Sequence, residues 1–373
     1  MNIQEFESYS FFPGQHWSHT WERQHEIVTR FSILLDKKTI KIVSPLGLVN
    51  HNPFSIDFFK RILYYKQQQN RADNQNPIRG NMEMINIAHI PFHDYFSSHI
   101  NALIIKKKLG ISNNNFFWST YMNPALYEIF KESKFKIIDL AERRAGNPYL
   151  PQSIKDLERK AVSEADLVII DNHAAINDYK DLNPNIYYIP QGVNLDTFYE
   201  IKGKKRKYIG YIGNLHFAID YPYLKNLISA NPNESFLLIG GLLENEPNDI
   251  LKLPNVKHIN QIPKSQLNEY LAQMKIGLIP YVKNERTIGV YPTKLFEYLS
   301  AGVPVLSTNL PEVTQYENEN YLKISNELIN LSELSFSCKG IHDVVINNTW
   351  DSRWNNYLQK INICLKSLSS QQH

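Results

Sequence analysis

Apolar residues fall along the second half of the chain in short unbroken runs, separated by stretches where they recur every three or four positions. The runs predict strands at Tyr208–Ile212, Ser235–Ile239, Val256–Ile259, Ile276–Ile279, Val303–Ser307 and Tyr321–Ile324. The stretches between them predict helices at Tyr221–Ala230, Ser265–Met274, Thr293–Ala301 and Glu327–Leu334. Buried runs alternating with helices imply a parallel sheet with crossovers, which is a doubly wound, Rossmann-like domain. The first half keeps this rhythm with longer insertions. A first strand is expected ahead of Pro13, with others at Ile40–Ser44, Met84–Ala88, Phe116–Ser119, Phe135–Asp139, Leu167–Asp171 and Ile186–Ile189. Helices are expected at Trp17–Leu35, Ser55–Gln69, Tyr95–Leu109, Pro124–Ser133 and Ser153–Ala165, and the polar stretch Gln67–Gly80 reads as a loop.

The stretch Gln191–Phe198 and the basic run Lys202–Lys207 suit an exposed linker between the halves. The expected organisation is therefore an α/β pair of Rossmann-like domains, 1–198 and 199–348, followed by a helix over 349–373. Thr349 is a suitable N-cap for that helix. Trp350, Trp354, Tyr357 or Leu358, and Ile361 share one of its faces, which must pack on something; crossing back to the first domain would satisfy it.

A chain of 373 residues is long for one core and comfortable for two. The net charge of +3 is too small for a nucleic-acid binder, which gathers a larger basic excess. Two cysteines, Cys338 and Cys364, can form neither a disulfide framework nor a multi-thiolate metal site, so a reducing cytoplasm is the expected compartment. The N-terminus has no basic start followed by an apolar stretch, and no run is long enough to span a bilayer.

The strongest chemical signal is Val290–Ser307. Pro292 suits the first turn of a helix, and Gly302 with Pro304 suits its end. Backbone N–H groups at the helix start and Lys294 in the first turn favour an anion such as a diphosphate. Glu297, on the same face, could accept hydrogen bonds from ribose hydroxyls. The plainer alternative is a surface Lys–Glu pair worth about 0.2–0.5 kcal/mol. Two weaker signals accompany it. One is Gly213-Asn214 at a strand end, where glycine permits close approach of a phosphate to the backbone. The other is Asn260-Gln-Ile-Pro263, a loop able to read a base edge.

The pattern Pro292, Lys294, Glu297, Tyr298, Gly302, Pro304, Val305 resembles the donor-site signature of GT-B glycosyltransferases of the group 1, family 4-like kind. The similarity is nearest to the teichuronic acid and xanthan glucuronosyltransferase types. Gly210-Tyr-Ile-Gly-Asn-Leu215 with Asp220–Leu224, Trp21-x-Arg23-Gln24 and Ile189–Asn194 share the resemblance, which spans most of the chain. It implies a GT-B fold with two domains facing across a cleft, and sugar transfer from a nucleotide-sugar, UDP-linked by expectation. The acceptor it implies is a cell-surface glycan or lipid-linked saccharide. The implied donor set is Gly14, Gly213, Asn214, Gln261, Ile262, Thr287, Tyr291, Pro292, Thr293, Lys294 and Glu297. No cofactor or metal is called for, since the nucleotide-sugar is a co-substrate. Many retaining members carry two glutamates separated by seven residues, but here Gly289 stands at the first position. Their Arg–Lys phosphate pair has no counterpart after Gly213, where His216 is a poor substitute. Both departures argue against carrying over a retaining mechanism.

An inverting transfer needs a base for the acceptor hydroxyl. Asp139, ending a strand, and Glu142 beyond it are the two candidates; an ion pair with Arg143 or Arg144 explains the same residues. His89 and His93 have a spacing that zinc ligands use, but Pro91 between them points to a loop, and no metal site is assigned. His93 or Asp94 is instead a candidate for acceptor contact or proton transfer. Trp21 and Arg23 are further acceptor candidates, and the Phe12-Pro-Gly14 turn could bring acceptor and donor together. The Lys106-Lys-Lys108 run after an apolar helix suggests peripheral contact with an anionic membrane at the inner face of the plasma membrane; a solvated helix end explains it equally. Two rival functions share these features: a GT-B-fold nucleotide-sugar epimerase, and a non-catalytic sugar-nucleotide-binding subunit of a glycan assembly complex.

Overall fold

The computed structural model describes residues 1–17, 21–44, 76–87, 90, 94–148, 150–242 and 249–370. The chain divides into two compact units. The first comprises Met1–Asp171, Ala175–Ile189 and the residues from Trp354 onward; the second comprises Asn172–Ala174 and Pro190–Arg353.

The first unit is built on a seven-stranded parallel sheet: β1 (Ser8–Phe12), β2 (Ile40–Val43), β3 (Met82–Ile85), β4 (Asn115–Ser119), β5 (Phe135–Leu140), β6 (Leu167–Ile170) and β7 (Ile186–Tyr188), in the order 3-2-1-4-5-6-7. The second carries a six-stranded parallel sheet: β8 (Tyr208–Ile212), β9 (Ser235–Ile239), β10 (Val256–Ile259), β11 (Met274–Ile279), β12 (Val305–Ser307) and β13 (Leu322–Ile324), in the order 10-9-8-11-12-13. Winding reverses between β1 and β4 in one sheet and between β8 and β11 in the other. At such a switch point neighbouring loops leave in opposite directions and open a crevice beyond the strands' C-terminal ends, where ligands sit in sheets of this kind.

The strands are continuous apolar runs because both faces are covered. One face of the first sheet packs on helices Tyr95–Leu109, Pro124–Glu132 and Gln152–Glu164, through Ile105, Ile129, Phe130 and Val162. On the other face Phe11, Phe31, Phe116 and Trp118 pack with ring centroids 5.1–6.0 Å apart. The last helix, Trp350–Ser370, completes this aromatic layer. Trp354 meets Phe31 edge-on at 4.9 Å, and Tyr357 and Ile361 are fully buried. Its N-cap is Thr349, whose hydroxyl accepts from Ser352 N at 3.2 Å.

Three differences from the sequence reading have local causes. The expected helix from Trp17 begins only at Arg23, because Glu22 caps it and its own N–H donates to His25 Nδ1 at 3.0 Å. The segment 327–334 is not helical: Asn330 Oδ1 accepts from Ser332 N, and Asn231 binds the main chain of Ile329 and Leu331, so side-chain bonding displaces the helix. Ser265–Met274 divides into a 3-10 turn, Lys264–Gln266, and a short helix, Leu267–Leu271. The expected helix Ser55–Gln69 and most of the loop after it lie outside the described residues.

Candidate functional site

In the second unit, the ends of three neighbouring strands, β8, β9 and β10, are tied together beside the switch point. After β8, Gly213 takes a φ of +144° and donates its N–H to Ile239 O at 2.7 Å. After β9, Gly240 takes a φ of +153°, and a Cβ there would lie 2.0 Å from Gly213 O. Only glycine permits both the backbone conformation and this approach. Asn214 Oδ1 accepts from Gly241 N at 3.2 Å, and a Cβ on Gly241 would come within 4.0 Å of Gln261 Oε1. Gly213 and Asn214, chosen from one sequence signal, and Gln261, from another, therefore share one edge. Ile262 is half-buried against the core.

Lys294 meets this edge. A Cβ on Gly213 would lie 2.3 Å from Lys294 Cε and 2.8 Å from Nζ, so the missing side chain at 213 is what lets the ammonium reach the loop. Nζ also sits 5.8 Å from the Tyr211 ring centroid. Burial works against the charge, but the Tyr281 hydroxyl and the Glu297 carboxylate outweigh it and hold the pKa above the ordinary lysine value. Glu297 is half-exposed, and its carboxylate makes no hydrogen bond or salt bridge among the described residues.

The helix that presents both residues, Lys294–Ser300, has only seven residues, so the charge at this edge comes mainly from the lysine. It is fixed from both ends. Ile212 N donates to Tyr298 OH at 2.9 Å, and the Tyr298 ring fills the space left by Gly277, where a Cβ would lie 2.6 Å away. At its end Gly302, with a φ of +67°, donates to Leu299 O, and Val303 N donates to Tyr298 O, the bond pair of a glycine-terminated helix. Pro292 is buried at the start, with Thr293 half-buried beside it.

Two donor-set residues are not presented to a ligand. Thr287 is fully buried, and its hydroxyl donates to Val282 O, closing its own loop. Tyr291 is buried and stacks on Phe296, with its hydroxyl 3.2 Å from that of Tyr316. The resemblance placed both in the donor set, but the loop turns both side chains inward. Conversely, the sequence reading missed Tyr211, Tyr281 and Arg286. The Arg286 guanidinium lies 3.6 Å from the Phe217 ring centroid, and burial together with Lys294 and Arg286 pushes the His216 imidazole below its ordinary pKa. Three basic side chains thus gather after β8. Lys294 and the position of His216 were singled out in the sequence; Arg286 arrives from a different loop.

In the first unit, Gly14 lies at the switch point between β1 and β4, donating to Thr120 Oγ1 at 2.6 Å. Asp139 is not placed to act as a base. It is fully buried, with one oxygen accepting from Arg23 Nε at 2.8 Å and the other from Tyr357 OH at 2.9 Å. Arg23 is likewise buried and not presented to an acceptor. It donates to Ile189 O as well, and although burial opposes its charge, Asp139 and Asp171 keep the pKa raised. The partner of Asp139 is neither Arg143, which pairs with Asp178, nor Arg144, which pairs with Glu158. Glu142 is exposed just beyond β5. Trp21 is half-exposed, stacks on His25 and donates to Glu26 at 2.7 Å. Asp94 caps the helix Tyr95–Leu109, and hydrogen bonds from Ser97 hold its pKa below the ordinary range. His89 and His93 lie outside the described residues. Among the described residues no group of three metal-binding side chains occurs, and no helix is long and apolar enough to cross a membrane.

No family model matches the chain. A stretch of 188 residues is 26% identical to TuaH of Bacillus subtilis, which is assigned as a teichuronic acid biosynthesis glycosyltransferase; the match covers 44% of this chain and 47% of that one, so it spans less than half of the relative. Over nearly its full length the chain superposes on solved structures. The sucrose-phosphate synthase of Thermosynechococcus elongatus gives a TM-score of 0.70 at 11% identity, covering 97% of this chain and 100% of that one. A glycosyltransferase from Rickettsia africae gives 0.69 at 13%, with the same coverage. Anabaena HepE, solved with UDP and glucose, gives 0.60 at 12%, covering 95% and 100%. The fold is that of the GT-B glycosyltransferases.

Proposed function

We propose that the chain is a glycosyltransferase that takes a UDP-linked sugar and passes it to a cell-surface glycan or lipid-linked saccharide. The observation that carries this reading is the Lys294 ammonium lying on Gly213 at the switch point of the second sheet, with Glu297 on the same helix. A half-buried cation beside glycine backbone suits a diphosphate, and a carboxylate beyond it suits the two hydroxyls of a ribose. The likeness to TuaH and the UDP held by HepE support the choice of donor and acceptor class.

In this reading Lys294 meets the diphosphate charge as it accumulates on the leaving group, which is the role a preorganised cation fills in such transfers. The sugar nucleotide is a co-substrate of hexosyl type, and the reading includes no resident metal. Asn214 and Gln261, which share one edge with Gly213, would in this reading meet the nucleoside. Of the two carboxylates weighed as base, Glu142 is the one open to solvent, and it would take the acceptor hydroxyl's proton. In this reading the reaction runs on the cytoplasmic side, at the membrane's inner face, where a lipid-linked acceptor would be met.

A panel of nucleotides and nucleotide-sugars in a thermal-shift assay tests donor binding. A ligand present at a hundred times its Kd adds about 2.7 kcal/mol. Failure of every nucleotide to raise the melting temperature would overturn the reading. Product analysis then separates the rivals. Transfer that requires an added saccharide supports a transferase, an altered free nucleotide-sugar without acceptor means an epimerase, and binding without turnover means a non-catalytic subunit.

A further inference from the structure

Two buried tyrosines lie behind the donor edge of the second unit. Tyr211 belongs to β8 and is fully buried. Tyr281 follows β11, and its carbonyl accepts from the Thr308 hydroxyl at 2.6 Å. The Tyr211 hydroxyl and Lys294 Nζ converge on Gly213, where a Cβ would lie 3.0 Å from one and 2.8 Å from the other. The Tyr281 hydroxyl joins the pair: it is hydrogen-bonded to Lys294 and stands 3.5 Å from the Tyr211 hydroxyl. At the far end, the Tyr211 hydroxyl lies 3.1 Å from Asn214 O.

The two ends of this chain of groups fix the direction of every bond in it. An ammonium only donates, so Lys294 donates to the Tyr281 oxygen. A carbonyl only accepts, so Tyr211 donates to Asn214 O. With the Tyr211 hydrogen committed there, the bond between the two hydroxyls runs from Tyr281 to Tyr211. Burial above all holds the Tyr211 pKa well above the ordinary tyrosine value, so its O–H stays a donor. Hydrogen bonds aligned in one direction polarise and strengthen one another. Two consequences meet at the ligand edge. Lys294 spends one of its three N–H groups on Tyr281 and keeps two for an anion. The Asn214 carbonyl is held toward the protein, so its negative end does not oppose a phosphate, and Asn214 Oδ1 is fixed separately by Gly241 N.

We infer that Tyr211 and Tyr281 are positioning residues of the donor site, resting on the donor reading proposed above. Their hydroxyls form a one-way chain that aims the Lys294 ammonium at Gly213 and turns the Asn214 carbonyl away from the diphosphate. Tyr281 acts through Lys294, and Tyr211 acts through the main chain of Asn214. The other titratable groups around Lys294 are Glu297 and Tyr298 on its own helix, His216 beyond β8 and Arg286 beyond β11, and all four are left unchanged in the test.

Tyr281→Phe and Tyr211→Phe in the full chain each remove a hydroxyl and keep the ring. In isothermal titration, Tyr281→Phe should weaken UDP about fivefold and leave uridine unchanged, and Tyr211→Phe should weaken UDP to a similar extent. In a Lys294→Met background, Tyr281→Phe should leave UDP affinity where it was, because a residue that acts through Lys294 has nothing left to act on. A second measurement needs no nucleotide. Acetic anhydride reacts with neutral amines only, so acetylation of Lys294 at pH 9, read by mass spectrometry against the exposed Lys339, reports how firmly the ammonium is held. Loss of the Tyr281 hydrogen bond lowers the Lys294 pKa, so Tyr281→Phe should acetylate there about threefold faster or more. The inference is overturned if Tyr281→Phe binds UDP as the parent does, if it weakens uridine equally, or if its effect persists beside Lys294→Met. It is also overturned if Lys294 acetylates at the parent's rate. A parent that binds no UDP overturns the donor reading instead, and the acetylation rates then still decide whether the hydroxyl chain holds Lys294.

Discussion

Replacing Lys294 by methionine removes a charge and leaves a side chain of similar length to fill the space over Gly213. The ammonium is half-buried, and Glu297 and Tyr281 favour its charged form, so it stands ready for a diphosphate. A hydrogen bond to a charged group contributes about 1.5–3 kcal/mol, which at about 1.4 kcal/mol per decade weakens UDP binding roughly tenfold to a hundredfold. Uridine lacks the diphosphate, and its affinity should not move. Because the folded-state pKa is raised, the lysine's charge is complete at neutral pH, and its contribution fades only as pH climbs through values above 10.5. The parent-to-variant ratio of UDP affinities should therefore stay level from pH 6 to 9. Isothermal titration of UDP and uridine against both proteins supplies the four constants. If Lys294→Met binds UDP as tightly as the parent, the phosphate assignment is wrong. If it loses UDP and uridine equally, the lysine acts by holding the site's shape.

Glu297→Gln should weaken uridine and UDP together, by about tenfold for each ribose bond lost, in the same titration. Glu142→Gln should leave the melting temperature and UDP affinity unchanged while slowing transfer by about a hundredfold or more, measured as kcat; unchanged turnover would remove it as the base. Asp139→Asn should act on stability instead. It leaves the buried Arg23 guanidinium without its counter-charge, costing about 3 kcal/mol in a denaturant melt, and a melt like the parent's would contradict the buried-pair geometry. Arg286→Ala should weaken UDP less than Lys294→Met does, since its guanidinium is exposed and screened by solvent.

Local pattern alone determined most of the secondary structure. Tyr208–Ile212, Ser235–Ile239, Val256–Ile259, Tyr221–Ala230 and Tyr95–Leu109 fall where apolar periodicity puts them, because strands buried on both faces and helices packed on them leave period-specific runs. The doubly wound class follows from the alternation. The Lys294–Gly302 segment could also be read directly, since a proline start and a glycine stop are backbone requirements that sequence states openly. Where two close residues point could not be read. Thr287 and Lys294 share one stretch of chain, yet one closes its own loop and the other reaches Gly213. Asp139 and Glu142 are neighbours in sequence, but Asp139 is claimed by Arg23 and Tyr357, residues more than a hundred positions away on either side. Arg286 reaches His216 and Phe217 from another loop. Periodicity records which side of an element meets the core. The partner of a buried charge is chosen by whichever distant element packs there, and only the tertiary structure decides that.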